Sequence, residues 1–245
     1  MAAVPYKNSG DPKKKQVAGM FDNISAKYDF LNHLLSFNLD KCWRRKAITL
    51  LKPYQPKQML DLATGTADFA IAASGLHPER ITGIDISEGM LHIARKKIVK
   101  KNLTKTIGLK LADSEALPFN DNYFDAAIVG FGVRNFESPD AGIREVYRVL
   151  KAGAPFLVLE FSKPGKPPFK QVYRFYIRKM LPLVGHLVSK DRQAYAYLPD
   201  SVEEFPSGES FTDVMKRTGF TNHRRFPLTF GVATVYLGEK PKSLE

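Results

Sequence analysis

The chain has 245 residues, 44% of them hydrophobic and 25% charged, a balance that excludes disorder throughout and allows one domain with a sizeable core. Its single cysteine, Cys42, excludes an intramolecular disulfide, and no Cys/His cluster has zinc-site spacing, so no metal and a reducing compartment are expected. The formal charge of +12 suits an anionic partner (nucleic acid, an anionic membrane face or an acidic small molecule) as well as a plain surplus of solubilising lysine.

Residues 1–15 are polar and lysine-rich and read as a mobile leader without the apolar core of a secretory signal. No run approaches the roughly 20 apolar residues that span a bilayer, so a cytoplasmic location is the expectation. Val17, Met20, Phe21, Ile24, Tyr28, Leu31 and Leu35 recur at three- and four-residue spacing, predicting helices over 16–52 that Pro53 and Pro56 end. Short apolar runs then alternate with helical patterns, which predicts βαβ units and a parallel sheet. The strands fall near 58–63, 81–85, 107–112, 124–130 and 155–161, and the helices near 67–76, 88–101 and 140–151. In the last of these helices Ile143, Val146, Tyr147 and Leu150 form a buried stripe, Arg144, Glu145 and Arg148 face water, and Gly153 is the terminator. After Pro164 and the Pro167-Pro168 pair, a helical stretch at 169–188 interrupts the strand rhythm inside an insertion over 167–198. A helix over 207–218 and a pair of strands bending at Gly231 complete a C-terminal unit at 205–245, behind a ligand-binding core at 57–162. The whole is read as a single α/β domain.

The stretch Leu60–Phe69, "LDLATGTADF", is an apolar run that breaks into a glycine turn and resumes. A dinucleotide turn uses one glycine to approach a pyrophosphate and another to pack helix on sheet. Here Gly65 is followed by Ala67 and no third glycine, which counts against NAD and FAD. Asp85 ends the next strand about 20 residues on, where a carboxylate accepts from ribose hydroxyls. Asp113 follows the third strand, where a carboxylate or adjacent backbone meets an exocyclic amine. A ribose, an adenine and a cationic centre without phosphate describe S-adenosylmethionine. Gly65 would lie against its methionine part, Thr66 would cap the following helix, and Asp61 would add negative charge near the sulfonium.

These blocks resemble the UbiE/MenG family, the C-methyltransferases of ubiquinone and menaquinone biosynthesis. The residues that carry the resemblance are "YDFLNHLLSFNLDKCW" (Tyr28 to Trp43), "DLATGTADFA", "DSEALPF", "FGVRNF", "RVLKAGA" (Arg148 to Ala154) and "LEFSKP". The chain departs from the family's usual pattern at Leu31, Asp40 and Ala154, and Asp40 removes a histidine that could have been a required base. The resemblance implies a Rossmann-like class I methyltransferase: a seven-stranded, mostly parallel sheet with its last strand antiparallel and helices on both faces. It also implies binding of S-adenosylmethionine at Thr66, Asp85 and the Asp113-Ser114 pair.

Methyl transfer to carbon needs aligned reactants and an electron-rich acceptor. A hydroquinone that loses a phenolic proton places charge on the adjacent ring carbon, so a reduced polyprenyl quinol is the expected substrate. "FGVRNF" follows the fourth strand at its carboxyl end and puts Arg134 and Asn135 at the rim as catalytic candidates, Arg134 for the oxygen anion and Asn135 for a ring oxygen. A structural salt bridge is the competing reading of Arg134. Glu160 is an alternative base, whereas His33, His77, His92, His186 and His223 are scattered. Tyr28 opens the first block on helices expected to close over the cofactor as a lid. Stretch 169–188 sets Phe169, Val172, Tyr173, Tyr176, Ile177 and Met180 on one face and Lys170, Arg174 and Arg178 on another. Such a helix suits either an anionic membrane or a cover over the sheet. The expected partners are the quinol, the membrane's inner face and a second copy of the chain, with no nucleic acid. An RNA methyltransferase and a non-catalytic scaffold are the alternatives; no RNA-binding module is visible for the first, and Arg134 and Asn135 speak against the second.

Overall fold

The computed structural model of the chain describes residues 3–165, 167–176 and 192–242. Strands β1 (Gln58–Leu62), β2 (Arg80–Asp85), β3 (Ile107–Leu111), β4 (Ala126–Gly130), β5 (Pro155–Phe161), β6 (Thr221–Leu228) and β7 (Ala233–Glu239) form one sheet ordered β3-β2-β1-β4-β5-β7-β6. β1 to β5 pair in parallel, and β7 runs antiparallel to both neighbours, as expected. The central strands are apolar on both faces because both are covered. On one side Leu60, Leu62, Phe156 and Val158 meet α5 (Pro139–Val149) and α8 (Glu209–Thr218). On the other, Met59, Leu157 and Leu159 meet α2 (Leu39–Leu51), α3 (Asp68–Ala73) and α4 (Glu88–Lys100).

α1 (Lys13–Leu35) packs outside these layers in a third cluster, where Val17, Met20 and Leu31 meet Ala3 and Tyr197. Phe37 and Asn38, at φ 51 and 59, turn the chain from α1 into α2. Within the stretch read as a mobile leader, Ala3 is buried, Tyr6 N–H donates to Gln16 at 2.9 Å, and Lys13–Lys15 already belong to α1, whereas residues 7, 8 and 10–12 are exposed. Of the stretch 169–188, α6 (Phe169–Phe175) is described and 177–191 lie outside the described residues. α7 (Arg192–Glu204) went unread because Pro199 lies inside it.

Two expectations about α5 are corrected. The helix ends at Val149, with Leu150 already extended, and Gly153 at φ +79 serves the turn into β5 instead. Glu145 and Arg148 do not simply face water. Arg148 donates to the carbonyls of Leu117 (2.9 Å) and Phe119 (2.8 Å) and pairs with Asp121 (2.7 Å), while Glu145 accepts from Leu117 N–H (2.8 Å). This clamp holds the loop that continues from Asp113. Arg148→Met should lower the free energy of urea unfolding by about 2 kcal/mol, since a hydrogen bond to a charged group is worth roughly 1.5–3 kcal/mol. An unchanged midpoint would refute the clamp.

Candidate active site

Strand order reverses between β1 and β4, and the crevice at the carboxyl ends of these strands is where a doubly wound sheet holds its ligand. The turn after β1 takes three left-handed residues, Ala63 (φ 48), Gly65 (φ 55) and Ala67 (φ 65), only one of them glycine. Each alanine in this region costs on the order of 1–3 kcal/mol, a strain that clusters at functional sites. A Cβ built on Gly65 would meet nothing within 4 Å, so the backbone there is open to the crevice.

The turn is held by carboxylates. Asp85 accepts from Gly65 N–H at 2.8 Å and from Ser87 N–H at 2.9 Å. Asp61 accepts through Oδ2 from the Thr64 hydroxyl (2.6 Å) and Ala70 N–H (3.1 Å), and its buried Oδ1 has no partner. Burial pushes Asp61 up to about 7 and Asp85 up to about 6. Asp61, not Thr66, therefore meets the start of α3, which has no side-chain cap; Thr66 donates to Asp29 at 2.5 Å.

A cavity of about 60 Å³ brings together Gly65, Asp85, Asp113, Ser114, Tyr28 and Asn135; Asp61 and Thr66 do not line it. Asp113 is engaged within the chain, accepting from Glu115 N–H (2.9 Å) and pairing with Lys14 of α1 (2.5 Å). α1 is fastened on either side of that contact. Lys13 donates to the carbonyls of Arg134 (3.2 Å) and Phe136 (2.9 Å), and Asp22 accepts from the Ser87 hydroxyl (2.6 Å) and Gly89 N–H (2.8 Å) at the start of α4.

A second cavity, of about 340 Å³, adjoins the first: Phe21, Tyr28, Phe131 and Asn135 line both. Its walls are largely aromatic, with Trp43, Phe161, Phe169, Tyr176 and Phe230 among them, and the Trp43 indole N–H donates to Thr229 at 2.8 Å. Arg134 lines this cavity only. Its guanidinium pairs with fully buried Glu160 at 2.8 Å, which is the salt bridge weighed for it, and its Nε has no partner. Glu160 also accepts from Phe161 N–H (2.9 Å), so its carboxylate is committed to holding Arg134. Asn135 accepts from the Tyr197 hydroxyl at 3.1 Å. Burial raises the Tyr28 phenol, with Asn32 hydrogen-bonded to it.

Asp40 is a structural hub. Burial alone would raise its carboxyl, but Ser36 (2.7 Å), Arg44 (2.5 Å) and His33 (2.9 Å) together hold it below the usual range. His33, Asp40 and Asp68 bring three ligand-type atoms within 4.8 Å of one another, although Arg44 and Lys97 already pair with these carboxylates. Sequence reading missed Lys14, Asp22, Tyr173 and Tyr197. The lysine run gave no signal of separate partners, Tyr173 was visible only as an apolar position, and Tyr197 lies in the helix that went unread.

The sequence profile of the ubiE/COQ5 methyltransferase family matches residues 9–240. The chain is 48% identical over 237 residues to a demethylmenaquinone methyltransferase of Bacteroides fragilis, covering 96% of each. It is 44% identical over 230 residues to the ubiquinone/menaquinone biosynthesis C-methyltransferase UbiE of Geotalea daltonii, covering 93% of this chain and 97% of that one. Among solved structures it resembles an S-adenosylmethionine-dependent methyltransferase of Thermotoga maritima, at TM-score 0.65 and 20% identity over 91% of this chain and 99% of that one, a likeness of fold.

The paired acceptors of Asp85 and the open backbone at Gly65 fit a cationic adenosyl ligand. The Asp61 and Asp85 carboxyls both sit above their ordinary 3.8, so they contribute stability below that pH that is lost as pH rises through about 6 and 7. The ligand instead needs Asp85, which lines the cavity, ionised. S-adenosylmethionine should bind about tenfold more weakly at pH 5 than at pH 7, as titration of one group at 6 requires. Asp85→Asn should flatten that slope in calorimetry; a slope unchanged in the variant would rule Asp85 out.

Proposed function

The chain belongs to the ubiE/COQ5 methyltransferase family, and from that premise we propose that its acceptor is demethylmenaquinol, a reduced naphthoquinol carrying a polyprenyl tail. It is an S-adenosylmethionine-dependent C-methyltransferase of quinone biosynthesis. The observation that carries the finer reading is the meeting of the two cavities. A pocket with buried carboxylates opens at Phe21, Tyr28, Phe131 and Asn135 onto a larger aromatic one, so a cationic methyl donor and a flat apolar acceptor would face each other there.

S-adenosylmethionine supplies a sulfonium methyl, which forms a bond to the ring carbon as its bond to sulfur breaks. Gly65, Asp61 and Asp85 would hold the donor, with Thr66 steadying the turn from behind and Ser114 beside Asp113. The Asp113 carboxylate, now on Lys14, would exchange that ammonium for the adenine amine. Arg134 would stabilise the quinolate oxygen that makes the ring carbon nucleophilic, and Glu160 fixes the guanidinium in place for it. Asn135, oriented by Tyr197, would hold a ring oxygen. α1 and α2 would form the lid, with Tyr28 between the two pockets. The proton lost from the ring carbon as aromaticity returns would leave through water.

The tail would leave where the cavity wall meets solvent. Phe37, Phe169, Val172 and Phe230 line the cavity yet stand 73%, 39%, 63% and 69% exposed, and Lys170 and Arg174 flank them on α6. Such a rim, in a chain of charge +12, suits peripheral contact with an anionic leaflet. No described helix is long and apolar enough to cross a membrane. On the described part of α6, Phe169, Val172, Tyr173 and Tyr176 face the cavity, which supports the cover-helix reading of that face.

Purified protein given labelled S-adenosylmethionine should label the ring of reduced demethylmenaquinol and leave the oxidised quinone unlabelled; label on the quinone at equal rate would overturn the quinol requirement. Arg134→Ala should lose about a hundredfold in kcat and, with Glu160 left buried and unpaired, about 3–5 kcal/mol of stability. The double variant Arg134→Met, Glu160→Leu should regain stability but not turnover. Turnover restored along with stability would make the pair purely structural.

A further inference from the structure

Among the described residues four buried side-chain polar atoms lack a hydrogen-bond partner: Asp61 Oδ1, Arg134 Nε, the Tyr173 hydroxyl and His223 Nε2. Buried polar groups are nearly always paired, so each orphan asks for an explanation. Asp61 lines neither cavity. Arg134 and Tyr173 both line the larger cavity, one reaching in from the turn after β4 and the other from α6. A second tyrosine on α6 supplies the contrast, because the Tyr176 hydroxyl donates to the carbonyl of Leu35 at 2.5 Å and ties α6 to α1. Tyr173 ties nothing. Its ring closes the cavity beside Phe169 and Val172, and its hydroxyl is carried to a buried position where a phenylalanine would serve the packing equally well.

We propose that Tyr173 is a substrate-contacting residue whose hydroxyl donates, beside Arg134 Nε, to the ionising oxygen of the bound quinol, while Asn135 meets the other. This inference deepens the reading of the chain as a quinol C-methyltransferase and rests on it. A quinolate oxygen accepts from more than one donor, and the cavity offers two partnerless ones from different elements, the turn after β4 and α6. The phenol keeps its proton throughout, consistent with burial holding its pKa above the ordinary tyrosine value. It therefore donates a hydrogen bond and transfers no proton. The bond strengthens as charge gathers on the oxygen, so its contribution belongs mainly to kcat.

Tyr173→Phe tests this, since it removes the hydroxyl and keeps the ring. Function and stability should move in opposite directions: a structural hydroxyl stabilises the fold, whereas an orphan one costs stability. The variant should bind S-adenosylmethionine with wild-type affinity, melt no lower than wild type, and lose about ten- to a hundredfold in kcat on reduced demethylmenaquinol. The alkaline rise of its pH–rate profile should shift upward by about one unit, because the quinol would ionise less readily without the donor. Tyr176→Phe should instead lower the melting temperature. Full turnover by Tyr173→Phe with an unshifted profile would overturn the proposal, as would a loss accompanied by a lower melting temperature and weaker cofactor binding. Wild-type protein that methylates no quinol would bring down the functional reading itself, and this inference with it.

Discussion

The constraint on which the rest depends is the burial of Asp61 and Asp85 at the ends of adjacent parallel strands. Neither forms a salt bridge among the described residues, and each feels the other's charge or that of Asp22. Backbone N–H groups compensate only in part: the turn between Ala63 and Ala67 bends into left-handed geometry and presents Gly65 N–H to Asp85. Strained backbone and unpaired carboxylate are thus two aspects of one arrangement.

The proposed lid rests on the same electrostatics. α1 lies across the pocket and is attached through charged and capping contacts on every side: Asp22 to the start of α4, Asp29 to Thr66 and Lys97, Lys13 to backbone carbonyls, and Lys14 to Asp113. Its third apolar cluster is small beside the two that sandwich the sheet. A helix held largely by partly exposed polar contacts is drawn from the less stable part of a fold, which suits an element that must admit a ligand.

Much of this was legible in the sequence, for physical reasons. The strands announced themselves because burial on both faces leaves apolar runs such as "FLVL". Asp85 and Asp113 were found because strand ends are fixed points. What stayed hidden was partnership between distant residues. The run Lys13-Lys14-Lys15 read as solvated leader, yet successive helical positions point about 100° apart and send these ammonium groups to the Arg134–Phe136 carbonyls, to Asp113 and Glu115, and to Asp11. Arg134 and Glu160, far apart in sequence, meet because β4 and β5 are neighbours, with Gly130 opposite Leu159. Tyr173 and Tyr176 look alike as apolar positions on one helix face, and only coordinates separate the bonded hydroxyl from the orphan.

Trp43 is the chain's single tryptophan, and the fold places it in the wall of the larger cavity, nearly solvent-free and anchored to Thr229 by its indole nitrogen. The protein thereby carries its own fluorophore at one location, with no second indole to blur it. Ultraviolet emission from this chain reports directly on that chamber, and a redox-active aromatic guest would announce its arrival as quenching, without any label attached.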